Sequence, residues 1–142
     1  MTKKQVMPIE QAEAELIELF EEMEIDTDVE SMLPDNAEGF SNTLRNLAMP
    51  ITKGRAIISD GEYVLTLRKP FGEGENKETT ITISEPSGAA WDAMKTAGRK
   101  DNGMKGTMLF CATMVGIPYI QLTKLPASDF KIVKEFALLF MV

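Results

Sequence analysis

Hydrophobic and polar positions alternate in three different ways along this chain, and each part predicts a different kind of element. From Pro8 to Met23 the period is helical. Ile9, Leu16 and Met23 recur every seven residues, as do Ala12 and Leu19, and Ile17 and Phe20 widen the stripe. Glutamates fill the opposite side. Pro8 suits a helix start, where a missing N–H costs nothing, and Glu10 and Glu13 suit the positive end of the helix dipole. From Ile25 to Phe40 the pattern dissolves into Asp, Ser, Pro34, Asn36 and Gly39, which reads as a loop or short broken helix. Ser41 to Leu47 reads as a short helix with Phe40, Leu44 and Leu47 on one side, ended by Pro50.

Between residues 54 and 84 the period drops to two, the mark of a three-stranded antiparallel meander. Ala56 to Ser59 is the first strand. Asp60-Gly61 is a two-residue turn, since a type I′ turn needs positive φ at both positions. In the second strand, Glu62 to Lys69, the side chains Tyr63, Leu65 and Leu67 alternate with Val64, Thr66 and Arg68, and Pro70 should stop it. The third strand, Glu78 to Ser84, carries Thr79, Ile81 and Ile83 on one face.

A helical period then returns three times. The first stretch runs from about Pro86 to Ala97, capped by Ser84 or Ser87 and stopped by Gly98, with Ala90, Trp91 and Met94 inward. The second runs from Asp101 or Asn102 to Val115 and carries Met104, Met108, Leu109, Cys111 and Ala112, with Gly116 as its stop. Leu122 and Leu125 fall in a connection anchored by Pro118 and Pro126. The last helix starts at Ser128 and should bury Phe130, Val133, Phe136, Ala137 and Phe140. The expected fold class is α+β: a small antiparallel β-meander packed on a helical C-terminal half, with an acidic N-terminal helix. The expected division is an extension over residues 1–50 and a core domain over 51–142.

Composition narrows the chemistry. The chain has 142 residues, no histidine and one cysteine, so the usual neutral-pH base, an intrachain disulfide and a cysteine-rich zinc site are all excluded. Net charge is −7, which disfavours binding to nucleic acid, and no apolar run reaches the roughly 18 residues that cross a bilayer. The N-terminal Met-Thr-Lys-Lys-Gln-Val-Met-Pro has no apolar segment, so no secretory leader is expected. The charge is uneven. Residues 1–40 hold twelve acids and two bases, a local −10, while the remainder holds ten acids and thirteen bases, or +3. The acidic part suits a solvated helix face, a fold-back onto the basic part, or a basic partner.

The candidate motifs for catalysis are weak. Phe71-Gly72-Glu73-Gly74-Glu75 is followed by a strand rather than a helix and would repel an anion, so it is no phosphate loop. Cys111 lies among Leu109, Phe110 and Ala112 with no histidine to activate it, and reads as a small buried hydrophobe. The carboxylates of the first helix share one exposed side rather than facing each other across a cleft. Asp26, Asp28 and Glu30 lack the central glycine and terminal glutamate of a calcium loop. No enzyme activity, cofactor or metal is expected. Ten methionines are many for this length, and such soft side chains suit adaptable surfaces that hold helices.

Two short stretches carry a resemblance. Val64-Leu65-Thr66-Leu67-Arg68-Lys69-Pro70, and Gly116-Ile117-Pro118 followed by Leu122, Leu125 and Asp129-Phe130, are similar to the strand end and the closing segment of phage tail assembly chaperones. These are the short proteins encoded just before the tape measure protein in Mu-like and related tailed phages. The resemblance covers about residues 62–142 and leaves residues 1–50 uncovered. It implies a non-enzymatic protein of the host cytoplasm that coats the long helical tape measure protein, and in some cases tail tube subunits, and is absent from the mature virion. Leu16, Leu19 and Phe20 of the first helix and Met104 and Met108 of the second C-terminal helix are the expected partner contacts, unless those stripes are internal core. Self-association through the heptad-like first helix is a further expectation. Two rivals stay open: a permanent tail component such as a tube or completion subunit, and a small acidic secretion or antitoxin-type chaperone.

Overall fold

In a computed structural model of the chain, residues 7–71, 78–96 and 104–141 are described. They form six α-helices and one antiparallel sheet of order β1-β2-β3, an α+β fold as expected. The chain divides into two compact units, Met1–Leu65 and Thr66–Val142. The boundary expected at residue 50 falls inside a helix.

The first unit pairs two helices with a hairpin. Helix α1 (Ile9–Glu22) buries Ala12, Leu16, Leu19 and Phe20, the stripe the seven-residue spacing predicts. Helix α2 spans Pro34–Thr52 and buries Phe40, Leu44, Leu47, Ala48 and Ile51. It is longer than expected at both ends. Pro34 starts it, where its fixed φ is already helical, after a 3-10 turn at Val29–Ser31. Pro50 does not end it at once: the helix gives up the one bond that position would have donated and runs on only to Thr52. The Phe20 and Phe40 rings pack edge to face, with centroids 6.0 Å apart.

The same hydrogen-bond device ends α1 and α2. Glu24 N–H donates to the Glu21 carbonyl at 3.0 Å and Ile25 N–H to that of Phe20 at 2.8 Å. Gly54 N–H and Arg55 N–H repeat the arrangement on Ile51 and Pro50, at 3.1 and 2.8 Å. This is the Schellman motif, with one left-handed residue just past the helix. Gly54 (φ 77°) adopts that conformation freely; Glu24 (φ 60°) does so under strain. Strand β1 (Ala56–Ser59) follows and pairs with β2 (Glu62–Phe71) through a turn in which Asp60 and Gly61 both have positive φ. Tyr63, fully buried, donates its hydroxyl to the Leu47 carbonyl at 2.8 Å and fastens the hairpin to α2.

The second unit begins within β2. This strand runs through Pro70 instead of stopping there. Even-numbered residues of β2 turn their N–H toward β1, and β1 ends opposite Leu65, so no ladder bond is lost at position 70. Strand β3 (Glu78–Ile83) buries Ile81 and Ile83. Four helices follow: α3 (Gly88–Thr96), α4 (Met104–Val115), α5 (Tyr119–Thr123) and α6 (Ala127–Met141). The expected starts at Asp101 or Asn102 and the stop at Gly98 lie outside the described residues. Helix α4 is the hub: it packs on α3, α5, α6 and β3. Its third-turn core, Phe110, Cys111, Ala112 and Met114, is buried, and Val133, Phe136 and Ala137 of α6 are buried as expected. Phe130 and Phe140 are only half-buried, and Ile132 is buried in addition. The stretch expected as a plain connection contains α5, which buries Leu122.

Candidate functional site

The two stretches that carry the family resemblance turn out to be structural. Gly116 (φ 72°) follows α4 in the left-handed conformation, and Ile117 N–H closes the Schellman bond on the Ala112 carbonyl at 3.1 Å. Pro118 then caps α5 with φ −62°. Asp129, fully buried in the first turn of α6, accepts the backbone N–H of Arg68 at 2.9 Å, while Arg68 Nη1 donates to Ser128 Oγ at 3.3 Å. Position 68 is where β2 has lost its β1 partner, so a side chain from 61 residues away satisfies an N–H that the sheet leaves over.

The expected contact residues fall in three different environments. Leu16, Leu19 and Phe20 are buried in the first unit, so their stripe packs against its own domain rather than facing outward. An amphipathic period gives a helix one apolar side but does not say what covers it. Met108 is half-buried on α4. Met104 begins α4, and its side chain lies outside what is described. Among the described residues, the large exposed apolar side chains are others. In the first unit these are Val29, Leu33 (71% exposed), Met49 and Ile57 (58%); in the second, Trp91, Ile120 (64%) and Leu138. Leu33 precedes the proline that starts α2, and Ile120 lies in the first turn of α5, two residues after Pro118, positions with no periodicity to flag them. Trp91 was expected inward. Instead its ring packs edge to face with that of Phe110, centroids 5.0 Å apart, and the residue stays 39% exposed.

Acidic residues of the first unit hold local structure. Asp26 Oδ1 accepts the Asp28 N–H at 3.0 Å, and Asp28 Oδ2 accepts the Ser31 hydroxyl at 2.6 Å, so these carboxylates hold the turn ahead of α2. A groove of about 370 Å³ lies between α1 and the β1–β2 turn, lined by Glu15, Glu18, Leu19, Glu22, Ile58, Asp60 and Gly61. Among the described residues no group of three or more His, Cys, Asp or Glu could hold a metal ion. No described helix is long and apolar enough to cross a membrane. Burial pushes the Cys111 thiol up to about 12, with Lys134 opposing only in part, so it is no thiolate nucleophile at neutral pH.

Compared with known proteins, residues 64–141 match the family model described as phage tail assembly chaperone proteins, E, or 41 or 14. The match starts in β2 and runs through α6, taking in Arg68, Gly116 and Asp129. No curated protein and no solved structure matches the chain.

Proposed function

The chain belongs to the phage tail assembly chaperone family, and from that premise we propose that it binds the tape measure protein of a tailed phage in the host cytoplasm, keeps it dispersed while the tail is built, and is absent from the finished particle. The observation that carries this reading is the family match across nearly the whole second unit. The surface agrees with it. Large apolar side chains stay exposed on both units, while a net charge of −7 keeps a chaperone–client complex in solution by repulsion.

On this reading the second unit grips client helices through Trp91, Ile120, Leu138 and the half-buried Met108. The buried stripe of α1 serves the fold. Contacts of this kind are few and adaptable, which suits a partner that must be released when tube subunits arrive. Tube subunits and a second copy of the chain are secondary partners in the proposal; membranes, nucleic acid and covalent chemistry have no part in it. Co-expression with the tape measure protein tests it. The expected result is a soluble client that co-purifies with the chain, and that precipitates again when Trp91 and Ile120 are both changed to Ser. A client that precipitates equally with and without the chain would contradict the reading.

A further inference from the structure

The outer edge of β1 lies open beneath an acidic helix face, and we propose that this edge takes up an extended, lysine- or arginine-rich segment of another protein as an added strand. The hydrogen-bond alternation of the hairpin shows which groups are free. Ser59 and Glu62 close a two-residue turn, which makes them a doubly bonded pair, and Ile57 with Val64 is the next. Ile58 stands between them, opposite Tyr63 in a non-bonded pair, so its N–H and C=O point away from β2. Strand β1 is the end strand of the sheet, and among the described residues no backbone bond reaches Ile58 from its outer side. An unpaired strand edge is a template for another chain.

Ile58 also lines the groove beside α1. Glu15, Glu18 and Glu22 come from one side of that helix, at spacings of three and four, and Asp60 closes the end. The groove therefore sets carboxylates of α1 beside Ile58, whose outward N–H and C=O are unpaired, with no base among its lining residues. Strand addition supplies affinity through main-chain bonds, and the wall selects side chains. A helix cannot use this edge, because its own backbone bonds are already made. An acidic strand would be repelled. The occupant that fits both walls is extended and cationic. This goes beyond the shielding of client helices and does not depend on it: a negative outcome here leaves the co-expression result as it stands.

The probe is a capped eight-residue peptide of alternating Lys and Val, titrated onto the full chain at low salt while amide exchange is followed by NMR. The proposal expects saturable binding that slows exchange of the Ile58 amide about tenfold or more and weakens as salt is raised. The double variant Glu18→Gln/Glu22→Gln, both exposed positions that leave the core intact, should bind about fivefold more weakly. A peptide methylated on alternate backbone nitrogens should lose binding, as should one of alternating Glu and Val. Binding that leaves Ile58 exchange unchanged, or that survives methylation, would overturn the proposal. So would protection of Ile58 that rises with protein concentration and needs no peptide, since the edge would then belong to a second copy of this chain.

Discussion

Asp129 shows how one side chain can hold a β-strand that has run past its neighbour. Its carboxylate is buried and takes the Arg68 N–H at 2.9 Å. Asp129→Ala should therefore lower unfolding stability by about 1–3 kcal/mol, the cost of losing a part-buried hydrogen bond and of unpairing its donor, whereas Asp129→Asn keeps an acceptor and should lose less; urea titrations of the two variants compare them. Glu24 is the opposite case, a residue at odds with its own backbone. It sits at φ 60° and places a negative charge at the C-terminal end of α1. Glu24→Gly should raise stability by about 1 kcal/mol, read as a higher urea midpoint. Cys111 ties stability to alkaline pH. The folded chain holds the thiol proton more tightly than the unfolded one, with a pKa of about 12 against 9.0. Its contribution is thus complete below pH 9 and is lost as pH climbs toward 12. Cys111→Ala should flatten the fall in urea midpoint between pH 9 and 10.5.

Among the elements, those marked by side-chain periodicity or by a turn dipeptide were legible, and those whose bounds depend on a proline were not. The stripe of α1, the alternation of β2 around Tyr63, Leu65 and Leu67, and the Asp60-Gly61 turn all stand where the sequence puts them. Pro34 and Pro70 misled for one shared reason: each occupies a place where its N–H would not have been used, a first helical turn and a strand side with no partner. Pro50 differs, because an N–H in the last turn of a helix is used; α2 gives up that one bond and ends two residues later. Of the candidate contacts, the periodicity located the apolar stripe of α1 but could not tell whether the stripe faced a partner or its own unit. The exposed Leu33, Ile57 and Ile120 carry no period at all. Because the α1 stripe is core, Leu16→Ala should cost about 2–5 kcal/mol in a chemical unfolding experiment. A change at the exposed Glu18 should stay within about 0.5 kcal/mol.

Taken whole, the molecule joins two units of opposite charge. Residues 1–65 carry fourteen acidic and five basic side chains, a formal −9, and residues 66–142 carry eight acidic and ten basic, a formal +2. The family match lies almost wholly on the second. The proposed division of labour follows: the second unit meets the apolar helices of the client, and the first keeps the complex dispersed and selects cationic segments. Any contribution of the first unit's charge should fade as salt rises past physiological strength, where the screening length falls below about 8 Å. The apolar grip of the second should persist. The most direct measurement follows this protein and the tape measure protein through tail assembly by quantitative immunoblotting of gradient fractions. The account predicts that the two migrate together before tube polymerisation and that purified virions retain the tape measure protein alone. Stoichiometric amounts of this chain in mature particles, or separate migration at every stage, would contradict it.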